Sequence, residues 1–163
     1  MVSELFTLRA ATRTDVPTVM RLVRGLAAYE KLENHFVATD GDFQRHLFGP
    51  GAIAHAALAE IAGASVGIAL WYYTFNTFAG RRRLFVEDVF VEAAHRGQGI
   101  GLALFRHMAR VARTEDCAMM EWSVLNWNQP SIDFYHRLGA RPATGWTMQR
   151  LQGDALASLA AEG

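Results

Sequence analysis

The sequence predicts an α/β fold of the mixed α+β kind: a twisted mixed β-sheet flanked by helices on both faces. Three observations carry that expectation. Apolar alternating segments and helical-period segments succeed one another in the order β-α-α-β-β-β-α-β-α-β. Between Val86 and Leu102 a β-branched run passes through a glycine turn straight into a helical pattern. The chain has 163 residues, 51% of them hydrophobic and 20% charged, which suits one domain, residues 1–163, with a core that needs no staples.

Leu5 to Ala10 alternates and reads as a first strand. Thr14 as N-cap and Pro17 in the first turn open a helix whose inner face is Val16, Val19, Met20, Val23, Leu26 and Ala27. Thr39 with Asp42 forms a capping-box pattern, opening a short helix through Phe48 that Gly49-Pro50-Gly51 ends. Residues 51–75 are nearly all apolar, but His55, Glu60 and the turn Gly63-Ala64-Ser65 divide them into a hairpin, Ile53–Glu60 and Val66–Thr74, rather than one membrane span. A loop from Asn76 to Gly80 leads past Arg81-Arg82-Arg83, read as a solvated turn, to the strand Leu84–Val91.

Beyond the glycine turn, Ile100, Leu104, Phe105, Met108, Val111 and Ala112 recur at the 3.6 period of a helix reaching about Arg113. A strand follows near Ala118–Leu125, then a helix over Ser131–Leu138 with Pro130 at its start and Gly139 as its C-cap. Arg141–Leu151 is expected as a last strand and Gly153–Ala161 as a small helix or tail.

Sixteen basic and sixteen acidic residues give zero formal net charge, with no electrostatic footprint for nucleic acid or an anionic membrane surface. Met1 to Leu8 contains Glu4 and no long apolar region, so it does not read as a signal peptide. One cysteine, Cys117, excludes an internal disulfide and suits a reducing cytoplasm; it reads as a structural thiol at a strand start. The six histidines show no metal-ligand spacing, so no metal is expected.

The order strand, glycine turn, helix makes an anion site. Backbone amides freed by glycine point outward, and the helix N-terminus adds roughly half a positive charge. A nucleotide triphosphatase loop needs a lysine that is missing, since the sole lysine is Lys31. A dinucleotide fingerprint needs glycine at position 102, where Leu102 stands, and a place at the first βαβ unit. What fits is Arg-x-x-Gly-x-Gly, met as Arg96, Gly99 and Gly101.

That motif resembles the acetyl-CoA loop of the GNAT (GCN5-related N-acetyltransferase) superfamily. The likeness narrows to its diamine (spermidine/spermine) acetyltransferase branch over Arg21–Glu30, Trp71-Tyr72-Tyr73, Val86-Glu87-Asp88, Arg96–Gly101 and Trp127–Tyr135. It implies acetyl-CoA as co-substrate, held by the backbone of Val89, Phe90 and Val91 and by Arg96, Gly97, Gln98, Gly99, Ile100, Gly101 and Leu102. Asn128 and Ser131 would lie beside it. Tyr29, Glu30, Glu87, Asp88 and Asn76 would face the amine, and Tyr135 the sulfur. A homodimer, formed through the last strand and tail, is also implied by resemblance.

The chemistry explains why such residues are wanted. An alkylamine of pKa about 10.4 is protonated at pH 7, and freeing its lone pair costs about 4–5 kcal/mol. Glu87 can receive that proton, backbone amides near Val89 can polarise the thioester carbonyl, and Tyr135 can protonate the departing thiolate. Simple alternation places Glu87 on the face of Phe85, Val89 and Val91. Asp88 reads equally as an amine ligand or an arginine partner. On its spacing alone, Tyr135 reads as a core residue; its catalytic role comes from the resemblance.

The sequence departs from the polyamine pattern at Asn76-Thr77-Phe78, where that branch carries an acid and then Trp. Glu30-Lys31-Leu32, by contrast, matches a thialysine-acetylating relative. The expected activity is therefore acetyl transfer to a primary amine of a small molecule, a diamine or polyamine or a thialysine-like amino acid. The alternatives are acetylation of protein lysines or N-termini, and an acyl-CoA-binding sensor without catalysis.

Overall fold

The computed structural model describes residues 6–161. These residues fall into two compact units, divided between Leu125 and Asn126. The first holds a five-stranded sheet in the order β1 (Thr7–Ala10), β2 (His55–Ile61), β3 (Ala64–Asn76), β4 (Arg81–Val91), β5 (Met119–Trp122). The first four strands pair antiparallel, and β5 lies parallel to β4. A parallel neighbour needs a crossover, and α3 (Ile100–Thr114) supplies it. Leu5, expected in the first strand, lies outside the described residues.

Two helices sandwich this sheet. On one face α1 (Val16–Glu30) sets Val19, Leu22 and Val23 against Leu58, Ile68 and Leu70. Phe43 and Leu47 of α2 (Asp40–Phe48) pack at the side of the same cluster. On the other face the sheet presents small residues, with Ala57 opposite Ala69 and Ala59 opposite Gly67. α3 comes close there: a Cβ on Gly67 would lie 3.3 Å from Ile100. Trp71, at the margin of this face, meets His107 of α3 edge-on at 5.7 Å.

Local signals explain most boundaries. The Thr39–Asp42 capping box forms as expected, with the Thr39 amide donating to Asp42 at 2.9 Å and the Asp42 amide to Thr39 Oγ1 at 3.3 Å. The N-cap of α1 is Asp15 and not Thr14: in the turn just before the helix the Thr12 amide donates to the Asp15 carboxylate at 2.7 Å, and Arg9 clamps the same carboxylate. Two adjoining partners make Asp15 the anchor in place of the Thr14 hydroxyl. The apolar stretch 51–75 folds as the β2–β3 hairpin, and among the described residues no helix is long and apolar enough to cross a membrane.

Arg81-Arg82-Arg83 are not a turn. They open β4, and each meets an acid: Asp116, Glu115 and Glu121 respectively. The β3–β4 ladder runs on through all three, to Asn76–Arg81.

The second unit consists of α4 (Gln129–Arg137), an extended stretch and α5 (Gly153–Ala161). Gly139 follows α4 with φ +92°, the left-handed stop its position requires. The strand expected at Arg141–Leu151 is absent among the described residues; positions 141–150 are all exposed and pair with no strand. Alternation alone cannot make a strand without a ladder to hold it.

Candidate active site

The site begins where β4 loses a neighbour. β4 and β5 pair from Arg83–Met119 to Val86–Trp122, and the ladder stops there. β5 ends three residues earlier than its apolar sequence suggests, so Glu87 to Val91 carry β4 onward with no β5 partner. On the other edge, Leu70 pairs with Asp88 but Trp71 pairs with Val86. Glu87 is thus the extra residue of a β-bulge, which kinks a strand and re-aims its side chains.

That bulge corrects the alternation. Paired residues share a face, so Val89 and Val91 go with Ala69 and Gly67, towards α3, whereas Phe85 goes with Tyr72, towards α1. Glu87 does not share one face with Phe85, Val89 and Val91. It is exposed at the kink, with its carboxylate in the neighbourhood of the Tyr72 hydroxyl. Burial first, and Glu87's charge second, push the Tyr72 phenol pKa up. Nothing in the sequence marks Tyr72 as that neighbour, because the register across a bulge is invisible to simple alternation.

Three carboxylates gather at this kink. Asp88 stands on the α1 side of the sheet, half-buried, next to Glu87 and within electrostatic reach of Glu30 at the end of α1. Burial chiefly, then Glu87 and Glu30, push the Asp88 pKa up to about 7. Burial also raises the Glu30 pKa. Removing charge from water and crowding like charges both favour the protonated acid. A cationic ligand would relieve both penalties. Among the described residues Asp88 forms no ion pair with an arginine.

Downstream lies the glycine turn. Gly97 and Gly99 have φ of +76° and +83°, in the left-handed region that favours glycine. Gly99 is the N-cap of α3, no side chain caps that end, and the first helical hydrogen bond runs from the Ala103 amide to the Gly99 carbonyl. The amides of Ile100, Gly101 and Leu102 therefore precede the helical ladder. Gln98 is exposed in the turn, while Ile100 is buried against the sheet and anchors it. Arg96 Nε donates to the Val91 carbonyl at 2.9 Å, tying the turn back to β4. Uncapped amides at a helix N-terminus, continuous with an unpaired strand edge, fit an extended ligand with a diphosphate at one end.

Two residues of the first unit expected to face the amine meet other groups. Asn76 Oδ1 accepts the Ala79 amide at 3.1 Å, closing the β3–β4 turn. It pairs with Arg81, about 20 Å along the strand from the Leu70–Asp88 pair. Tyr29 turns its ring to Arg96, whose guanidinium carbon lies 4.8 Å from the ring centre.

In the second unit, Asn128 is the N-cap of α4 and is 5% exposed; its side-chain oxygen accepts the Ser131 amide at 3.4 Å. Asn-Gln-Pro-Ser is a local helix start, with Pro130 in the first turn. Tyr135 lies two turns into α4, half-buried, its ring 5.7 Å from that of Phe134. Among the described residues no group of three or more His, Cys, Asp or Glu is arranged to hold a metal ion.

Comparison with known proteins agrees with this geometry. The profile of the Acetyltransferase (GNAT) family matches residues 21–140. The chain is 34% identical to a thialysine N-epsilon-acetyltransferase of Sus scrofa, over 94% of this chain and 96% of that protein. It is 31% identical to a human spermidine/spermine N(1)-acetyltransferase-like protein 1, over 98% of this chain and 24% of that longer one. Among solved structures, an integron cassette protein from V. cholerae has the same fold, with a TM-score of 0.81, 22% identity and coverage of 97% and 99% of the two chains.

Proposed function

Because this chain belongs to the Acetyltransferase (GNAT) family, falls with its diamine acetyltransferase branch, and is an N-acetyltransferase using acetyl-CoA, we propose that its acceptor is the primary amine of a small cationic molecule. A diamine, a polyamine and a thialysine-like amino acid are the classes to separate. The observation that carries this reading is the cluster of Glu30, Glu87 and Asp88 beside the unpaired edge of β4. Three carboxylates, one titrating near neutrality, favour an ammonium over a neutral acceptor. The names of the relatives in two organisms point the same way.

Acetyl-CoA supplies an acyl group on a thiol leaving group. The amides of Gly97 to Leu102 and the Arg96 side chain hold its diphosphate, and the backbone of Val89, Phe90 and Val91 lines its pantetheine arm. Asp88 and Glu30 draw in the ammonium. Glu87, beside Tyr72, takes the ammonium proton directly or through water, so that the nitrogen lone pair attacks the thioester carbon. The Val89 amide stabilises the charge gathering on the carbonyl oxygen. As the carbon–sulfur bond breaks, Tyr135 gives its proton to the thiolate and takes up, through water, the second proton that the acylated nitrogen sheds, while Glu87 returns the first to solvent. Asn128 and Ser131 support the cofactor from the start of α4. Asn76, committed to its turn, is left out of the amine site.

We further propose a single catalytic domain over residues 1–163, acting as a homodimer in the cytoplasm. The exposed apolar side chains of Trp146, Met148, Leu151, Leu156 and Leu159 in the second unit support a self-association surface. The single cysteine suits a reducing compartment.

The test is a thiol-release assay over diamines, polyamines, thialysine and lysine. Turnover with at least one of them is expected. Tight coenzyme A binding with no turnover on any would refute the small-amine reading.

A further inference from the structure

The end of α1 carries two neighbours with different partners. Glu30 faces the carboxylate cluster, whereas Tyr29 turns to the cofactor turn. Gly25 and Tyr29, four residues apart, share one side of the helix. Gly25 lets that side close on β4: a Cβ there would sit 2.8 Å from Phe90 Cε1. Phe90 thus lies against α1, and the Arg96 guanidinium rests near both rings, 4.8 Å from the centre of Tyr29 and 5.7 Å from that of Phe90. Arg96 Nε is fixed on the Val91 carbonyl, while Nη1 and Nη2 donate to no group among the described residues. Two rings and one carbonyl therefore aim a guanidinium whose outer nitrogens remain available to an anion.

We infer that Tyr29 is a positioning residue for acetyl-CoA rather than an amine ligand: it holds Arg96 in the direction that lets its outer nitrogens meet the diphosphate. This rests on the acetyl-CoA reading above and reassigns one residue within it. α1 then serves both substrates, through Glu30 for the amine and through Tyr29 for the cofactor. The ring face, not the hydroxyl, does the holding.

The experiment is calorimetric titration of the full chain with coenzyme A, alongside steady-state kinetics. Tyr29→Leu removes the ring, and the coenzyme A dissociation constant is expected to rise about fivefold, the worth of one partly exposed cation–π contact. Tyr29→Phe keeps the ring and is expected to restore affinity. The KM for acetyl-CoA should rise in Tyr29→Leu while kcat and the amine KM hold. In an Arg96→Met background, Tyr29→Leu should have no further effect. A loss of the same size in that background, or a raised amine KM with unchanged coenzyme A affinity, overturns the inference. Arg96→Lys keeps the charge but not the planar stack, and it provides the same test without touching α1. It should also lose about fivefold, and full affinity overturns the inference. Wild-type protein that binds coenzyme A but acetylates no amine would remove the proposed activity and leave this assignment standing.

Discussion

Val86 and Trp122 form the last rung between β4 and β5, and the bulge at Glu87 begins at the very next residue. One strand end and one inserted residue thus coincide. Together they free a strand edge and turn a carboxylate out beside it, which is what a transferase bringing a thioester to an ammonium requires. Core packing holds the frame on which this depends.

Glu87→Gln keeps size and hydrogen bonding and removes the proton acceptor. We expect kcat to fall by roughly 10²–10⁴-fold, the usual worth of general base catalysis, with coenzyme A affinity unchanged. Steady-state kinetics beside a binding titration checks both halves. A variant with wild-type kcat would leave deprotonation to another group.

Asp88 gives a pH-dependent prediction. Its folded pKa of about 7 lies above the ordinary carboxylate value, so the folded state prefers the protonated acid. Its contribution to stability is present in full below about pH 4 and is lost as pH rises through 7. Asp88→Asn should therefore match wild type near pH 4 and exceed it above pH 8, by about 2–4 kcal/mol after allowing for partial burial. Denaturant melts at the two pH values read this directly. A bound ammonium should reverse the penalty, so the amine KM should fall as pH rises through 7.

Leu58 tests the frame. It is 0% exposed, between Val19 and Leu22 of α1 and Ile68 of β3. Leu58→Ala should cost about 2–5 kcal/mol, the transfer term plus the cavity left behind, measured as a lowered denaturation midpoint.

Much of this was legible in the residues. Period placed α1 and α3, the Thr39–Asp42 box placed α2, and Pro130 placed α4, because each helix declares itself locally, whereas the Asp15 cap of α1 and the Asn128 cap of α4 were not read. The glycine turn was legible for the same reason: Gly97 and Gly99 are there for left-handed backbone, a local demand. What the sequence hid depends on partners far along the chain. Arg81-Arg82-Arg83 read as a turn until Glu115, Asp116 and Glu121 are brought beside them. Arg141–Leu151 read as a strand, yet it has no ladder. The face of Glu87 hinges on a register slip between Leu70 and Trp71 that no periodicity reveals.

The central claim is that uncapped amides at the start of α3 grip a diphosphate, and Gly99 is the place to test it. At φ +83° a β-branched side chain is strained, so Gly99→Val must rotate the turn and misdirect those amides, while open space around the position spares the core. Titration of wild type and Gly99→Val with coenzyme A, with circular dichroism to show that both are folded, decides the matter. The account predicts binding by wild type and at least about tenfold weaker binding by the folded variant, a difference of about 1.4 kcal/mol. Equal affinity in the two proteins would contradict it.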